Sequence, residues 1–385
     1  MKTSDLIYLD HAAATPMDER VIAAMTPYMR EFFYNPSSPY APAVEVRRAY
    51  EYAKYRLAQC IGAKADEIVI TAGATESINL MVGSVSGHIV TSNIEHHAVL
   101  RAVEAHDHTL VKADEKGTVS PDAVERAIRP DTELVTIHLA NNELGTIQPL
   151  RAIAEVVKRE RQRRFEAGEK TPIWLHTDAS QGAGQLDLNV ARLGVDTMTV
   201  NAGKMYGPKQ VGLLWADREV TLRPIIRGGG QERAIRSGTE NVAGTIGFAT
   251  AFELVSTHRN GEAKRLEALR DKLEARLMTA FPGAVVSGNR KKRLSGHLHI
   301  SFPGIDAERL VFALESRGVL VATGSACAAN KGTRSHVLTA IGLDDQTADG
   351  SLRITLGRLS DESNIARAAD ILIEVIMSEI ERTSR

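Results

Sequence analysis

Trp174-Leu175-His176-Thr177-Asp178-Ala179-Ser180-Gln181 and, 26 residues after Asp178, Lys204 within Asn201-Ala202-Gly203-Lys204-Met205-Tyr206-Gly207-Pro208-Lys209-Gln210 are the stretches that set the fold. Each follows or contains a short β-rich run, 173–177 and 196–200, and each run leads into a residue that can do chemistry. In an α/β chain the loops at the C-terminal ends of parallel strands carry the site. Working outward, further strand candidates at 67–71, 88–92, 133–139 and 211–215 alternate with helical segments, the pattern of a doubly wound, mainly parallel sheet.

After this region the character of the sequence changes. A helix is expected over 240–258, and past Asn260-Gly261 a charged helix over 267–281. A strand follows at 297–302, a helix at 307–317, a strand at 351–356 and a last helix. That helix carries Ile365, Ala369, Leu372, Ile376 and Ile380 at spacings of three and four, with Ser360 as the expected N-cap. The expected class is therefore α/β, with a large domain over 16–259 and a smaller α+β domain built from 1–15 and 260–385.

The 385 residues, 43% hydrophobic and 25% charged, suffice for a large core, and a net charge of −1 offers no general attraction to nucleic acid or anionic membrane. No apolar run reaches the roughly 20 residues that span a bilayer, and the first residues lack the apolar segment of a secretory signal, so a cytoplasmic protein is expected. With only Cys60 and Cys327, neither a disulfide framework nor a four-cysteine zinc site is expected.

An acid at one strand end and a lysine at the next is the arrangement that a pyridoxal phosphate enzyme needs. The lysine forms an imine, and the acid keeps the pyridine nitrogen protonated so that the ring can accept electrons. Gly73-Ala74-Thr75-Glu76-Ser77, after the strand candidate at 67–71, opens a helix whose free N–H groups and positive dipole end suit a phosphate. Alone, that turn is equally a plain strand-to-helix connection.

Ordered motifs along nearly the whole chain extend this reading. They are Tyr8-Leu9-Asp10-His11-Ala12-Ala13-Ala14-Thr15-Pro16, Asn35-Pro36-Ser37-Ser38, Gly73 to Asn79, Glu95-His96, Asn141-Asn142-Glu143-Leu144-Gly145, Asp178 to Gln181, Lys204 to Pro208, Arg236-Ser237-Gly238-Thr239, Gly324-Ser325-Ala326-Cys327 and Arg353 to Arg358. With them the chain resembles the cysteine desulfurases, in the class-V aminotransferase group of fold-type I pyridoxal phosphate enzymes.

The resemblance implies pyridoxal 5'-phosphate as cofactor and L-cysteine as substrate. By it, Lys204 carries the covalent link and moves the proton at the substrate α-carbon. Asp178 pairs with the ring nitrogen, Gln181 with the ring hydroxyl oxygen, and His96 stacks on the ring and assists proton transfer. Ala74, Thr75 and Asn201 hold the phosphate, with Thr239 reaching in from a second subunit, which implies a homodimer with shared sites. Asn142 lies beside the ring hydroxyl and the substrate carboxylate, Arg353 clamps that carboxylate, and Asn35 also contacts substrate. Cys327 attacks the substrate sulfur, leaving alanine and a persulfide for a protein acceptor such as an iron–sulfur scaffold, a transfer RNA thiolation protein or a carrier for another sulfur cofactor. Lys331 and Arg334 are placed to lower its thiol pKa. Another enzyme of the same fold, an aminotransferase or a cysteine or selenocysteine lyase, is the alternative, and a binding protein that keeps the fold is a second.

The chain departs from the family's Ser-x-His-Lys pattern: Asn201-Ala202-Gly203-Lys204 leaves no side chain at 203. A lost hydrogen bond to a charged group costs about 1.5 to 3 kcal/mol, so either weaker cofactor binding or a substitute group is expected. Tyr40 stands where the family commonly has histidine, and Gln210 where it has glycine. Plainer readings hold elsewhere. Cys60 reads as a core residue, His176 as a satisfied strand residue, and His96-His97 as no metal site. The basic runs 158–164 and 290–293 read as solvated surface.

Overall fold

The computed structural model describes residues 6–324 and 334–383. Its strands are β1 (Ile7–Tyr8), β2 (Ile68–Thr71), β3 (His88–Ser92), β4 (His108–Val111), β5 (Thr132–Thr136), β6 (Trp174–Asp178), β7 (Thr197–Asn201), β8 (Gly212–Ala216), β9 (Val285–Val286), β10 (His297–Ser301), β11 (Val319–Leu320) and β12 (Ser351–Thr355). Seven of them form one sheet in the order β2-β8-β7-β6-β5-β3-β4. Only β8 runs against its two neighbours; every other pairing is parallel. The mainly parallel α/β sheet expected from the sequence is therefore present.

Helices cover both faces of a parallel sheet, so both sets of alternating side chains are buried. Ile68, Ile70, Val90, Val135, Leu175, Met198 and Leu213 enter one core, with the helices Ala41–Ile61 and Leu150–Glu166. Val69, Ile89, Leu134 and Leu214 enter another, under the helices Ala74–Val82 and His97–Val103.

A third core gathers the antiparallel sheet β12-β10-β9, the parallel pair β1-β11 and the last helix, Glu362–Thr383. Ile7 and Leu9 belong to it, so the N-terminus packs with the C-terminal third. In β10 and β12, Leu298, Ile300, Leu352 and Ile354 point into this core. The alternate residues His297, His299 and Ser301 lie opposite Thr355, Arg353 and Ser351 on the other face. That period of two aims Arg353 toward the large sheet.

Four expectations change. Helices 240–258 and 267–281 are one helix, Val242–Ala280, which gives Val242 to Val255 to one core and Leu266 to Leu277 to another. Two buried ends outweigh the roughly 1 kcal/mol that glycine costs in mid-helix. Strand β4 escapes sequence reading because it is an edge with only Val111 buried, so it shows no apolar run. Asp361 and Asn364 exchange side chain to backbone hydrogen bonds of 3.0 and 2.8 Å at the start of the last helix, whereas the Ser360 hydroxyl accepts from the Gly357 N–H. The basic runs are not all solvated. Arg164 is buried and donates to the carbonyls of Thr132 and Arg129, and the Arg293 side chain is covered where it pairs with Glu274.

Two predictions follow from these features. A Cβ on Gly261 would meet nothing within 4 Å, so Gly261→Ala should stabilise the chain by about 0.5–1 kcal/mol, read from its denaturant midpoint. His297 and His299 are pushed down from 6.5 to about 3, first by burial and then by the charge of Arg353. The unfolded chain takes up these protons near pH 6.5 and the folded chain only near 3, so stability falls on acidification through that window. Each imidazole contributes a slope of about 1.4 kcal/mol per pH unit. Urea midpoints at pH 7 and pH 5 should separate, and less so in His299→Gln; equal separation in the variant contradicts the assignment.

Candidate active site

Lys204 closes a short 3-10 turn, Ala202–Lys204, that begins where β7 ends. The Asn201 side chain accepts from the Gly203 N–H at 3.0 Å and shapes that turn. Lys204 Nζ donates to the carbonyls of Ala12 and Ala13 at 2.9 and 2.7 Å. The N-terminal segment is tied down around it. Thr15 Oγ1 donates to the Gly203 carbonyl at 3.1 Å and accepts from the Tyr206 N–H at 2.8 Å, and Gln181 Nε2 donates to the Ala12 carbonyl at 3.1 Å.

Lys204, Ala12, Ala13 and Gln181 border a cavity of about 300 Å³, which also brings together Ala74, Thr75, His96, Asn142, Asp178, Asn201 and Arg353. Nine of the twelve site residues read from the sequence, Lys204 among them, thus share one cavity. Asn35 does not. It is exposed on the loop before the helix Ala41–Ile61, and its side chain accepts from the Ser37 N–H at 2.9 Å. Thr239 is exposed outside the cavity, and Cys327 lies outside the described residues.

At one end of the cavity the helix Ala74–Val82 begins behind Gly73, whose φ of 125° and lack of a side-chain cap leave the first-turn N–H groups facing outward. A Cβ on Gly212 would come within 2.7 Å of the Gly73 backbone, so these two glycines let β8 press against the turn. Thr71 and Ser77 hydroxyls meet at 2.7 Å and cinch it from inside. Glu76, in the first turn, is directed to Arg236 and to the Ala72 N–H, so its charge is neutralised beside the helix end.

Asp178 sits at the end of β6, with Oδ1 accepting from the Ser180 N–H at 3.0 Å. His96 caps the helix His97–Val103, its Nδ1 accepting from the Ala98 N–H at 3.1 Å, so the ring proton is on Nε2. Its ring is open to the cavity yet walled by protein. Desolvation lowers its pKa below 6.5, with Lys204 also lowering it and Asp178 opposing, and the ring is neutral at pH 7. Opposite, Arg353 is buried, pairs with Asp10 at 2.7 Å and donates to the Asn142 carbonyl at 3.3 Å, while its Nε has no partner. It is both a structural ion pair and a cation at the cavity wall.

This donor set fits pyridoxal phosphate. A lysine, a strand-end carboxylate, a neutral imidazole and an open helix N-terminus line one cavity, and the buried Nε of Arg353 is still unsatisfied. Sequence reasoning missed His138, Glu143 and His336 in the same wall. His138 is buried, with Nδ1 2.9 Å from Glu95, which itself accepts from Ser92 at 2.6 Å. Only its position just beyond a strand end marked it. No group of three or more His, Cys, Asp or Glu among the described residues is arranged to hold a metal ion. Arg334 pairs with Asp345 and Asp349 at 2.6 and 2.7 Å, so its charge is engaged there and not reserved for a thiol. Burial pushes the Cys60 thiol up to about 11, as suits an inert packing residue.

The class-V aminotransferase profile matches residues 7–367, and the chain belongs to that family. Within it the chain is similar to cysteine desulfurases: it is 38% identical to the IscS cysteine desulfurase of Dictyoglomus turgidum, over 96% of this chain and 94% of that one. It is 37% identical to cysteine desulfurase IscS 1 of Archaeoglobus fulgidus, over 97% of both chains. Among solved structures, a NifS-like protein superposes with a TM-score of 0.89 at 33% identity, covering 97% of this chain and all (100%) of that one. A structure of SspA in complex with cysteine gives a TM-score of 0.76 at 34% identity, covering 91% of this chain and 98% of SspA.

A Cβ at position 203 would meet only ordinary contacts, the nearest at 3.5 Å, so a side chain is tolerated there. Gly203→His should therefore fold, and if the missing imidazole weakens the phosphate grip it should tighten pyridoxal phosphate binding about tenfold or more. Fluorescence titration of both proteins checks this; equal affinities would mean that another group already fills the role.

Proposed function

We propose that the protein is a pyridoxal phosphate-dependent cysteine desulfurase, converting L-cysteine to L-alanine with a persulfide on Cys327. The observation that carries this reading is the convergence of Lys204, Asp178, His96 and Arg353 on one cavity in a chain similar over its length to cysteine desulfurases. Bound there, the cofactor supplies an electron-accepting ring that acidifies the substrate α-carbon.

Lys204 anchors it and moves the proton at that carbon. Asp178 holds the proton on the ring nitrogen, Gln181 faces the ring hydroxyl, and the neutral His96 ring packs on the cofactor. The first-turn N–H groups of Ala74 and Thr75 take the phosphate, with Asn201 beside them. Gln210, which shares a groove with Ala74, Thr75 and Asn201, is the candidate to stand in for the missing histidine. Arg353 binds the substrate carboxylate with Asn142, and Asp10 keeps the guanidinium oriented. Cys327 attacks as the thiolate: its sulfur bonds to the substrate sulfur, the carbon–sulfur bond breaks, and the electron pair stays on carbon, which is protonated to the methyl group of alanine.

Thr239 is exposed and far from serving its own cavity, which supports a homodimer in which it completes the partner's phosphate site. Exposed Phe33 stacks on Tyr34, which meets exposed Tyr40 edge-on, so an aromatic cluster is available for such an association. Asn35 is assigned to substrate on the same basis, at the shared interface. The partition into 16–259 and into 1–15 with 260–385 is supported by the separate cores. No helix among the described residues is long and apolar enough to cross a membrane, and action in the cytoplasm on a protein sulfur acceptor is the proposed setting.

The test is to incubate the holoenzyme with cysteine and a reductant. Alanine and sulfide should form in equal amounts, and Cys327→Ala should lose sulfide release by at least about a hundredfold. A keto acid product indifferent to Cys327 would point to an aminotransferase. Arg353→Lys, which loses the fork that matches a carboxylate, should raise KM for cysteine about tenfold or more.

A further inference from the structure

Three successive residues, Glu232, Arg233 and Ala234, have φ of 48°, 60° and 61°. None is glycine, and in this left-handed region the Cβ crowds the following carbonyl, so a run of three stands only where its neighbours hold it. The Glu232 carboxylate supplies the hold. Its oxygens accept from Tyr50 Oη at 2.5 Å, from Lys54 Nζ at 3.0 and 3.2 Å, and from the Ile70 N–H at 2.9 Å. The Lys54 and Glu232 side chains are only 6% and 5% exposed, which makes this a buried ion pair with both oxygens engaged. Burial, and next the Glu232 charge, pushes the Tyr50 pKa up, so the hydroxyl remains a donor.

Tyr50 and Lys54 lie on the helix Ala41–Ile61, and Ile70 is on β2, at the edge of the large sheet. That strand leads directly into the Gly73 turn and the helix Ala74–Val82, assigned above to the phosphate. On the other side of the strained turn, the Ile235 N–H donates back to the Glu232 carbonyl at 3.1 Å, and Arg236 follows. Arg236 Nε donates to Glu76 Oε1 at 2.8 Å, and Glu76 Oε2 accepts from the Ala72 N–H at 2.8 Å. The contacts close a ring that runs from Ile70 to Glu232, along the chain to Arg236, across to Glu76 and back through Ala72. The phosphate turn, 72–76, is one side of it. Glu76 is a carboxylate in the first turn of a helix that would receive an anion. Alone it would repel the phosphate; paired with Arg236 it does not.

We propose that Glu232 is a positioning residue for the cofactor phosphate: by clamping the turn 232–234 to Lys54, Tyr50 and Ile70 it delivers Arg236 to Glu76 and so removes a negative charge from the phosphate site. This deepens the pyridoxal phosphate reading and rests on it. Glu232, Lys54 and Arg236 are all outside the lining of the cavity that holds Lys204 and Arg353, so the effect belongs to the phosphate end of the cofactor.

The experiment titrates the full chain, stripped of cofactor, with pyridoxal 5'-phosphate and separately with pyridoxal, which has the ring and aldehyde but no phosphate, both read by fluorescence. Lys54→Met/Glu232→Ala removes the clamp without leaving either charge buried alone. It should bind pyridoxal phosphate about tenfold more weakly than the parent, and pyridoxal within about twofold. Lys54→Met/Glu232→Gln is equally neutral but keeps an amide, whose oxygen can accept from Ile70 and whose NH2 can donate to Tyr50 Oη, and should bind both ligands within about twofold of the parent. Arg236→Gln should reproduce the tenfold loss, and adding it to the Ala pair should weaken binding little further, because both act through one cation. Tyr50→Phe, which deletes one bond of the clamp, should weaken pyridoxal phosphate alone by about threefold or more and decides the matter if the Ala pair does not fold. Parent-like pyridoxal phosphate affinity in the Ala pair or in Arg236→Gln would overturn the proposal. So would an equal loss for pyridoxal, which would mark a general disturbance of the fold, or a Gln pair as weak as the Ala pair, which would give the role to the buried charges. A parent that binds neither ligand would overturn the cofactor reading, and the proposal with it.

Discussion

The segment Asp10 to Thr15 holds the site together. It lies between cores that are otherwise joined by the helix Val242–Ala280, and it touches each catalytic wall. Asp10 pairs with Arg353 of β12, while the carbonyls of Ala12 and Ala13 receive Lys204 beyond β7. Thr355 adds a hydrogen bond from the Ala12 N–H to its hydroxyl at 3.0 Å. A buried guanidinium without a carboxylate partner is expensive, so the cation can sit at the cavity only because this segment is docked.

Electrostatics are arranged around the same problem. The interior keeps its arginines paired, as with Arg164 against Glu160 and carbonyl oxygens, and its imidazoles neutral, as with His297, His299 and His96. Charge is thereby concentrated where a ligand would use it: Lys204, Asp178 and Arg353. His176, buried and hydrogen-bonded on both ring nitrogens to Thr136 and Thr199, illustrates the rule for a residue with no catalytic task.

Much of this was legible in the residues. The β-rich runs of β2, β3, β6, β7 and β8, alternating with helical segments, announce a doubly wound sheet. Asp178 and Lys204 announce a site because they fall just past strand ends, where α/β loops carry chemistry. What was hidden depended on neighbours remote in sequence. Edge strand β4 has polar residues because solvent covers it, and helix 242–280 runs through Asn260-Gly261 because packing at both ends overrides a local break. Arg164 and Arg293 resemble surface charges until the carbonyls and carboxylate that receive them are known.

The chain's own residues marked most strands of the large sheet, Lys204 and Asp178 as candidates for a site, and the kinship that follows from its motifs, since each depends on local pattern or residue type. Folding alone decided that Glu232 meets Lys54 and Ile70, that Asp10 meets Arg353, and that Asn35 and Thr239 fall outside the cavity of their own chain. Those contacts join positions up to 343 residues apart, and a distance of that kind is set by how helices and sheets pack, which no local run of residues encodes.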